Sequence, residues 1–169
     1  MNIAIRAAVP QDAPTVNQIL TETWKAAYIG IVPQEYLDSL DAAKPNRMQE
    51  DISARTLEVL LLFADGVPAG AVGYGSSREE SRAGWGEIVC LYLRPAYWRR
   101  GYGGKLLRAA VDALTREGFR KFYLWVMAEN RSAREFYRAM GFEPTGEASF
   151  YEIAGKRMED VRYIKKTEK

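Results

Sequence analysis

The stretch from Arg99 to Lys105 gathers three glycines, Gly101, Gly103 and Gly104, among three cations, Arg99, Arg100 and Lys105. Residues just upstream, ending at Leu93, have strand character. Those downstream recur with helical spacing, so the glycines fall where a strand turns into a helix. The first amides of a helix lack intrahelical acceptors, and the helix dipole adds positive charge there. Glycine lets a ligand come close to that backbone. Together these features make an anion site suited to phosphate groups. The competing reading is a plain turn with solvated cations. Two familiar phosphate motifs do not fit: Leu106 follows Lys105 where a P-loop needs Ser or Thr, and Leu106 also stands where a dinucleotide fingerprint needs its third glycine.

The catalytic repertoire is narrow. The chain has no histidine and one cysteine, Cys90. The usual general base, Ser–His and Cys–His arrangements and Cys/His zinc sites are therefore excluded, and no metal is expected. Carboxylates, tyrosines, lysines, a thiol and backbone groups remain. Without a histidine to activate it, Cys90 reads as a core thiol. Glu79, Glu80 and Glu147 are acidic candidates for attracting a cation, or ordinary solvated glutamates.

These groups need a frame. Asn2–Ala7 alternates as a first strand, and Pro10–Asp12 opens a helix carrying Val16, Ile19, Leu20 and Trp24. Short helices are expected over Gln34–Leu40 and Pro45–Ala54. Leu57–Phe63 and Pro68–Tyr74 flank the tight-turn pair Asp65–Gly66. Trp85–Leu93 completes a meander. A helix follows over Gly103–Glu117, with Leu106, Leu107, Ala110, Val111 and Leu114 on one face and Gly118 as its cap. Lys121–Met127 is a strand, Asn130–Met140 a helix, and Phe142–Ile153 and Met158–Lys165 are closing strands. The order, β-α-α-β-β-β-α-β-α-β-β, predicts an α/β fold with a mixed sheet.

At 169 residues and 47% hydrophobic content the chain reads as one domain over 1–169 with a sizeable core. A net charge of +2 gives no reason to expect nucleic acid or an anionic membrane as partner. The N-terminal residues lack a signal-peptide layout, no apolar run could span a bilayer, and a lone cysteine suits a reducing compartment. A cytoplasmic protein is expected.

Trp98-Arg99-Arg100-Gly101-Tyr102-Gly103 resembles the acyl-CoA motif of the GNAT superfamily of N-acyltransferases, Gln/Arg-x-x-Gly-x-Gly/Ala, with tryptophan replacing its first residue. Asn130-Arg131-Ser132-Ala133-Arg134-Glu135-Phe136-Tyr137-Arg138-Ala139-Met140-Gly141-Phe142 is similar to the later family motif, Asn-x-x-Ala-x-x-Phe-Tyr-x-x-x-Gly-Phe. Both stand in the family's order, with a helix and a strand between them.

The resemblance implies a mostly antiparallel sheet with helices on both faces and a V-shaped splay between central parallel strands. It implies acetyl-CoA as co-substrate. Pantetheine would bond the strand backbone around Val89, Leu91, Tyr92 and Leu93, and the pyrophosphate would lie on Arg99, Arg100, Gly101, Tyr102, Gly103, Gly104 and Lys105. Asn130 and Tyr137 would lie near the pantetheine arm and sulfur, with Asn130 equally suited to cap its helix. Tyr137 is the implied acid for the departing thiolate, with core packing on the face it shares with Ala133 and Met140 as the alternative. Glu87 resembles the glutamate that many relatives use as base, often through a water; a solvent-facing strand residue is the alternative. Amine deprotonation by bulk water is another. Trp24 and Tyr28, four apart in a stretch like Trp-x-x-x-Tyr-x-Gly-Ile-x-Pro, are candidates for an acceptor wall or for core packing. Thr145–Tyr151 looks like polyamine acetyltransferases of the superfamily.

The leading expectation is direct acetyl transfer to a primary amine of a small molecule, such as a polyamine, amino acid or antibiotic-like amine. A protein N-terminal or lysine acetyltransferase and a non-catalytic acyl-CoA-binding module are the alternatives, with a nucleotide-binding protein more distant. A homodimer is left open.

Overall fold

The computed structural model describes residues 1–41 and 48–167. Seven strands form one sheet in the order β1-β2-β3-β4-β5-β7-β6: β1 (Ile3–Ala7), β2 (Glu58–Ala64), β3 (Val67–Ser76), β4 (Gly86–Leu93), β5 (Lys121–Met127), β6 (Glu143–Ile153) and β7 (Lys156–Lys166). Every neighbouring pair is antiparallel except β4 and β5. A β4–β5 pair must be parallel because a helix, α4 (Tyr102–Arg116), carries the chain back across the sheet.

The helices lie on both faces. Leu106, Leu107, Ala110, Val111 and Leu114 recur at helical spacing, and all are buried against Leu62, Val72, Ile88, Phe122 and Leu124. On the other face α1 (Ala13–Ala27) buries Val16 and Ile19 against Val59, Leu61 and Ala71. Leu61 and Leu62 therefore point to opposite cores, which explains why β2 reads as an unbroken apolar run. Among the described residues the remaining α-helices are α2 (Gln34–Ser39), α3 (Met48–Ser53) and α5 (Arg131–Ala139).

Departures from the sequence-based expectations are local. The first helix begins at Ala13, after a 3-10 turn over Pro10–Asp12. Asp12 is held there by Arg6 and by the Val9 amide. The start of the helix expected from Pro45 lies outside the described residues. β3 is longer than expected at both ends. The Asp65–Gly66 turn forms as expected, both residues having positive φ. Ala154 and Gly155 make a second turn of the same kind between β6 and β7.

Candidate active site

The site begins where β4 leaves β5. The two strands pair only through Gly86–Phe122, Glu87–Tyr123 and Ile88–Leu124. On its other edge β4 stays paired with β3, but the register shifts there: Gly73 faces Cys90 and Tyr74 faces Ile88, so Val89 is the extra residue of a bulge. A bulge bends and twists its strand. From Val89 to Leu93 the β5-facing edge of β4 consequently has no strand partner among the described residues. This is the expected V-shaped splay.

A cavity of about 200 Å³ fills the gap. Val89, Cys90, Leu91 and Tyr92 line it from β4, and Trp125, Val126 and Met127 from β5. Asn130, Ala133 and Tyr137 close one side, while Trp24, Tyr28, Tyr151 and Asp160 close the other. Of the residues read from the sequence, the structure thus brings together Val89, Leu91, Tyr92, Asn130, Tyr137, Trp24 and Tyr28. Leu93 and the residues from Arg99 to Lys105 lie beyond the cavity lining, at the end of the strand and the start of α4.

There Arg99 and Gly101 both take left-handed backbone, with φ of 61° and 80°. Gly101 caps α4, and the first backbone bond back to it comes from the Lys105 amide. The amides of Tyr102, Gly103 and Gly104 precede the intrahelical ladder and stay available. Arg99, Arg100 and Lys105 are exposed, and among the described residues none is ion-paired to a carboxylate. Trp98 is not wasted: its indole N–H donates to the Leu93 carbonyl at 2.6 Å. Thr23 donates to the same oxygen at 3.1 Å, tying the end of β4 to α1. The first turn of α4 sits beside α5, where a Cβ on Gly103 would meet Phe136 at 3.5 Å.

Tyr137 follows Phe136 and is buried, with edge contacts to Phe136 and Phe142. Burial pushes its phenol far above the ordinary tyrosine value, with smaller contributions from Tyr28 and Cys90. Cys90 shares these surroundings, and burial pushes its thiol up to about 11. Asn130 caps α5 by accepting from the Ala133 amide at 3.2 Å and also lines the cavity, a position compatible with both of its readings. The positions of Trp24 and Tyr28 are likewise compatible with both of their readings. Their rings meet edge to face at 4.7 Å, they pack on a small core with Val32, Leu37 and Met158, and both face the cavity.

Glu87 is buried, but not as a free carboxylate. Arg78 donates to both of its oxygens, from Nε at 3.0 Å and from a terminal nitrogen at 2.7 Å. The Arg78 amide and the Tyr123 hydroxyl add two further bonds. Glu87 stands where β4 and β5 are still paired, below the splay, and is not among the cavity-lining residues. Glu79 and Glu147 are also engaged. Glu79 accepts from Arg162 at 2.7 Å and from Trp125 at 2.8 Å. Glu147 is paired with Arg82 and Arg162. The Arg162 guanidinium is buried between the rings of Tyr123 and Trp125, at 4.8 and 4.3 Å from their centroids.

Sequence reasoning did not single out Trp125, Met127 or Asp160. For Asp160 a signal existed: Met158, Asp160 and Arg162 alternate onto one face of β7, and Met158 and Arg162 are buried. Charges sharing an inward face need a reason.

The Acetyltransferase (GNAT) family model matches residues 16–142. YuaI of Bacillus subtilis, an uncharacterized N-acetyltransferase, is 29% identical over 161 residues, covering 94% of this chain and 90% of its own. The spermidine N(1)-acetyltransferase of Thermoplasma acidophilum is 29% identical over 149 residues, with 85% and 89% covered. Among solved structures, the PaiA N-acetyltransferase of Thermoplasma acidophilum in complex with coenzyme A superposes with a TM-score of 0.74 at 24% identity, over 98% of this chain and 99% of that one. YncA of Salmonella typhimurium, solved with its cofactor acetyl-CoA, gives 0.75 at 20% identity, over 100% and 96%. A family match that spans both the splayed strands and the helix that follows them settles the matter, and the chain belongs to the GNAT acetyltransferase family as an N-acetyltransferase.

Proposed function

We propose that this N-acetyltransferase takes its acetyl group from acetyl-CoA and passes it, by direct attack, to a primary amine of a small molecule. The observation that carries the reading is the cavity between the splayed strands, with the unpaired amides of α4 beyond one end and Tyr137 on its wall. The amides of Tyr102, Gly103 and Gly104, with Arg99, Arg100 and Lys105 around them, suit a diphosphate. The partnerless edge of β4 suits the amide groups of pantetheine, which would extend the sheet as a short strand does. The Thermoplasma relative, named for spermidine, agrees with a small-molecule acceptor.

In the transfer, the lone pair of a neutral amine attacks the thioester carbon, the C–N bond forms and the C–S bond breaks. The surplus ammonium proton leaves to solvent, sulfur takes a proton from Tyr137, and a proton from solvent restores the Tyr137 phenol. An ordinary phenol is a weaker acid than an ordinary thiol, by about 1.5 pKa units. The same burial that raises Tyr137 also raises the Cys90 thiol. A thiolate expelled into the cavity is destabilised in the same direction, so a hydrogen bond and a proton from Tyr137 favour its departure.

Glu87 enters this reading through Arg78. Four donors already occupy this carboxylate, and it serves as the clasp that keeps β4 and β5 together below the splay.

The test combines calorimetry of coenzyme A binding with thiol release from acetyl-CoA across polyamines, amino acids, aminoglycosides and peptides. Coenzyme A binding with turnover of small amines is expected. Turnover confined to peptides, or coenzyme binding without turnover on any amine, overturns the proposal.

A further inference from the structure

Asp160 differs from the other carboxylates around the cavity. Glu79 and Glu147 are closed by Arg162, Glu87 by Arg78, Glu22 by Arg94 and Glu129 by Lys156. Asp160 lines the cavity itself, and among the described residues no Lys or Arg nitrogen comes within 4.0 Å of it. Its hydrogen-bond donor is the neutral Tyr151 hydroxyl, at 2.8 Å. Burial raises its pKa and the Tyr151 bond only partly offsets that. Its own charge in turn helps to push the Tyr28 phenol up to about 12, behind burial. A half-buried carboxylate with one neutral partner is costly to keep. The rings of Trp24, Tyr28, Trp125 and Tyr151 share the same cavity, and aromatic faces attract cations. The result is a pocket with one uncompensated negative charge and aromatic walls.

Such a pocket selects an ammonium group. A nitrogen held as ammonium on a carboxylate keeps its proton and has no lone pair for attack. The nitrogen that reacts must then be a different one on the same molecule. We propose, resting on the acetyl-transfer reading above, that Asp160 is the specificity residue of the acceptor side, binding one ammonium of a di- or polyamine while a second, neutral nitrogen is acetylated.

The probes are 1,4-diaminobutane and butylamine, which differ by that second nitrogen. For the wild type, kcat/KM should favour the diamine by about 10-fold or more, as a charge-assisted contact implies. D160N keeps an acceptor for Tyr151 and removes the charge. It should lose about 10- to 100-fold on the diamine, stay within about twofold on butylamine, and bind coenzyme A as the wild type does. Equal values for the two amines in the wild type, or an undiminished diamine preference in D160N, overturn the proposal. Should D160N fail to bind coenzyme A, D160A takes its place, and should both fail the wild-type preference alone decides. If coenzyme A binds but no amine is turned over, the acetyl-transfer reading falls first. Calorimetry of 1,4-diaminobutane with the protein–coenzyme A complex then decides for Asp160: binding lost in D160N upholds the ammonium site, and no binding to the wild type ends it.

Discussion

Tyr137 and Cys90 are shifted in the same direction by the same burial, and each shift has a measurable consequence. With its phenol pushed upward, Tyr137 stays protonated through the neutral and mildly alkaline range. The rate should therefore climb with pH as the acceptor loses its proton, with no fall from phenol ionisation below about pH 10, the ordinary tyrosine value. Tyr137→Phe should lower kcat by about 10²-fold and leave coenzyme A affinity within about twofold; equal losses in both would make the residue a binding group instead. Cys90, at about 11, is roughly one part in a thousand thiolate at pH 8. Iodoacetamide should modify it far more slowly than a free thiol, with a rate still rising at pH 10. At Glu87 the expected base and the proposed clasp part ways in a pH–rate profile. Glu87→Gln should leave the limbs of that profile in place while lowering the melting temperature, because it strips the charge from a buried carboxylate held bidentately by a largely exposed arginine. The places of Tyr137 and Asn130 on the cavity wall were legible because a spaced motif carried them. The engagement of Glu87 was not, because Arg78 lies on a separate segment and nothing local indicates that its guanidinium folds over the Glu87 carboxylate.

At the scale of elements, the start of α4 separates two glycines that look equivalent in the sequence. Gly101 needs its left-handed backbone, which costs an L-residue about 1–2 kcal/mol. Gly103 has ordinary helical backbone, and a Cβ there would rest against Phe136 at 3.5 Å, a normal contact distance. Gly101→Ala should therefore weaken coenzyme A binding by about 10-fold, and Gly103→Ala by much less. Equal losses would mean that both positions serve close ligand approach. The strand-to-helix turn was legible because glycine, helix start and basic charge coincide within a few residues. The splay was implied by resemblance only. Its local cause, the bulge at Val89, depends on how β3 pairs with β4, and the apolar run from Ile88 to Leu93 reads as an uninterrupted strand.

For the molecule as a whole, two carboxylates push stability in opposite directions. Burial raises Glu79, but bonds from Trp125 and Arg162 outweigh it and its pKa ends lowered. A lowered carboxylate stabilises the fold above its unfolded value, and that contribution disappears as the pH falls through the folded one. Asp160 ends raised, so its ionised form is disfavoured by folding, and it burdens the native state at neutral pH. Removing that burden should show in a melting experiment. At pH 7, D160N should melt at or above the wild type, even while it loses the diamine. At a pH near 4, where the folded Asp160 is increasingly protonated, the gap should close. Added 1,4-diaminobutane should raise the wild-type melting temperature by mass action and leave D160N unmoved. A variant that melts well below the wild type at pH 7 would show that Asp160 already has a compensating partner inside the fold. The pocket would then carry no uncompensated charge with which to select a cation.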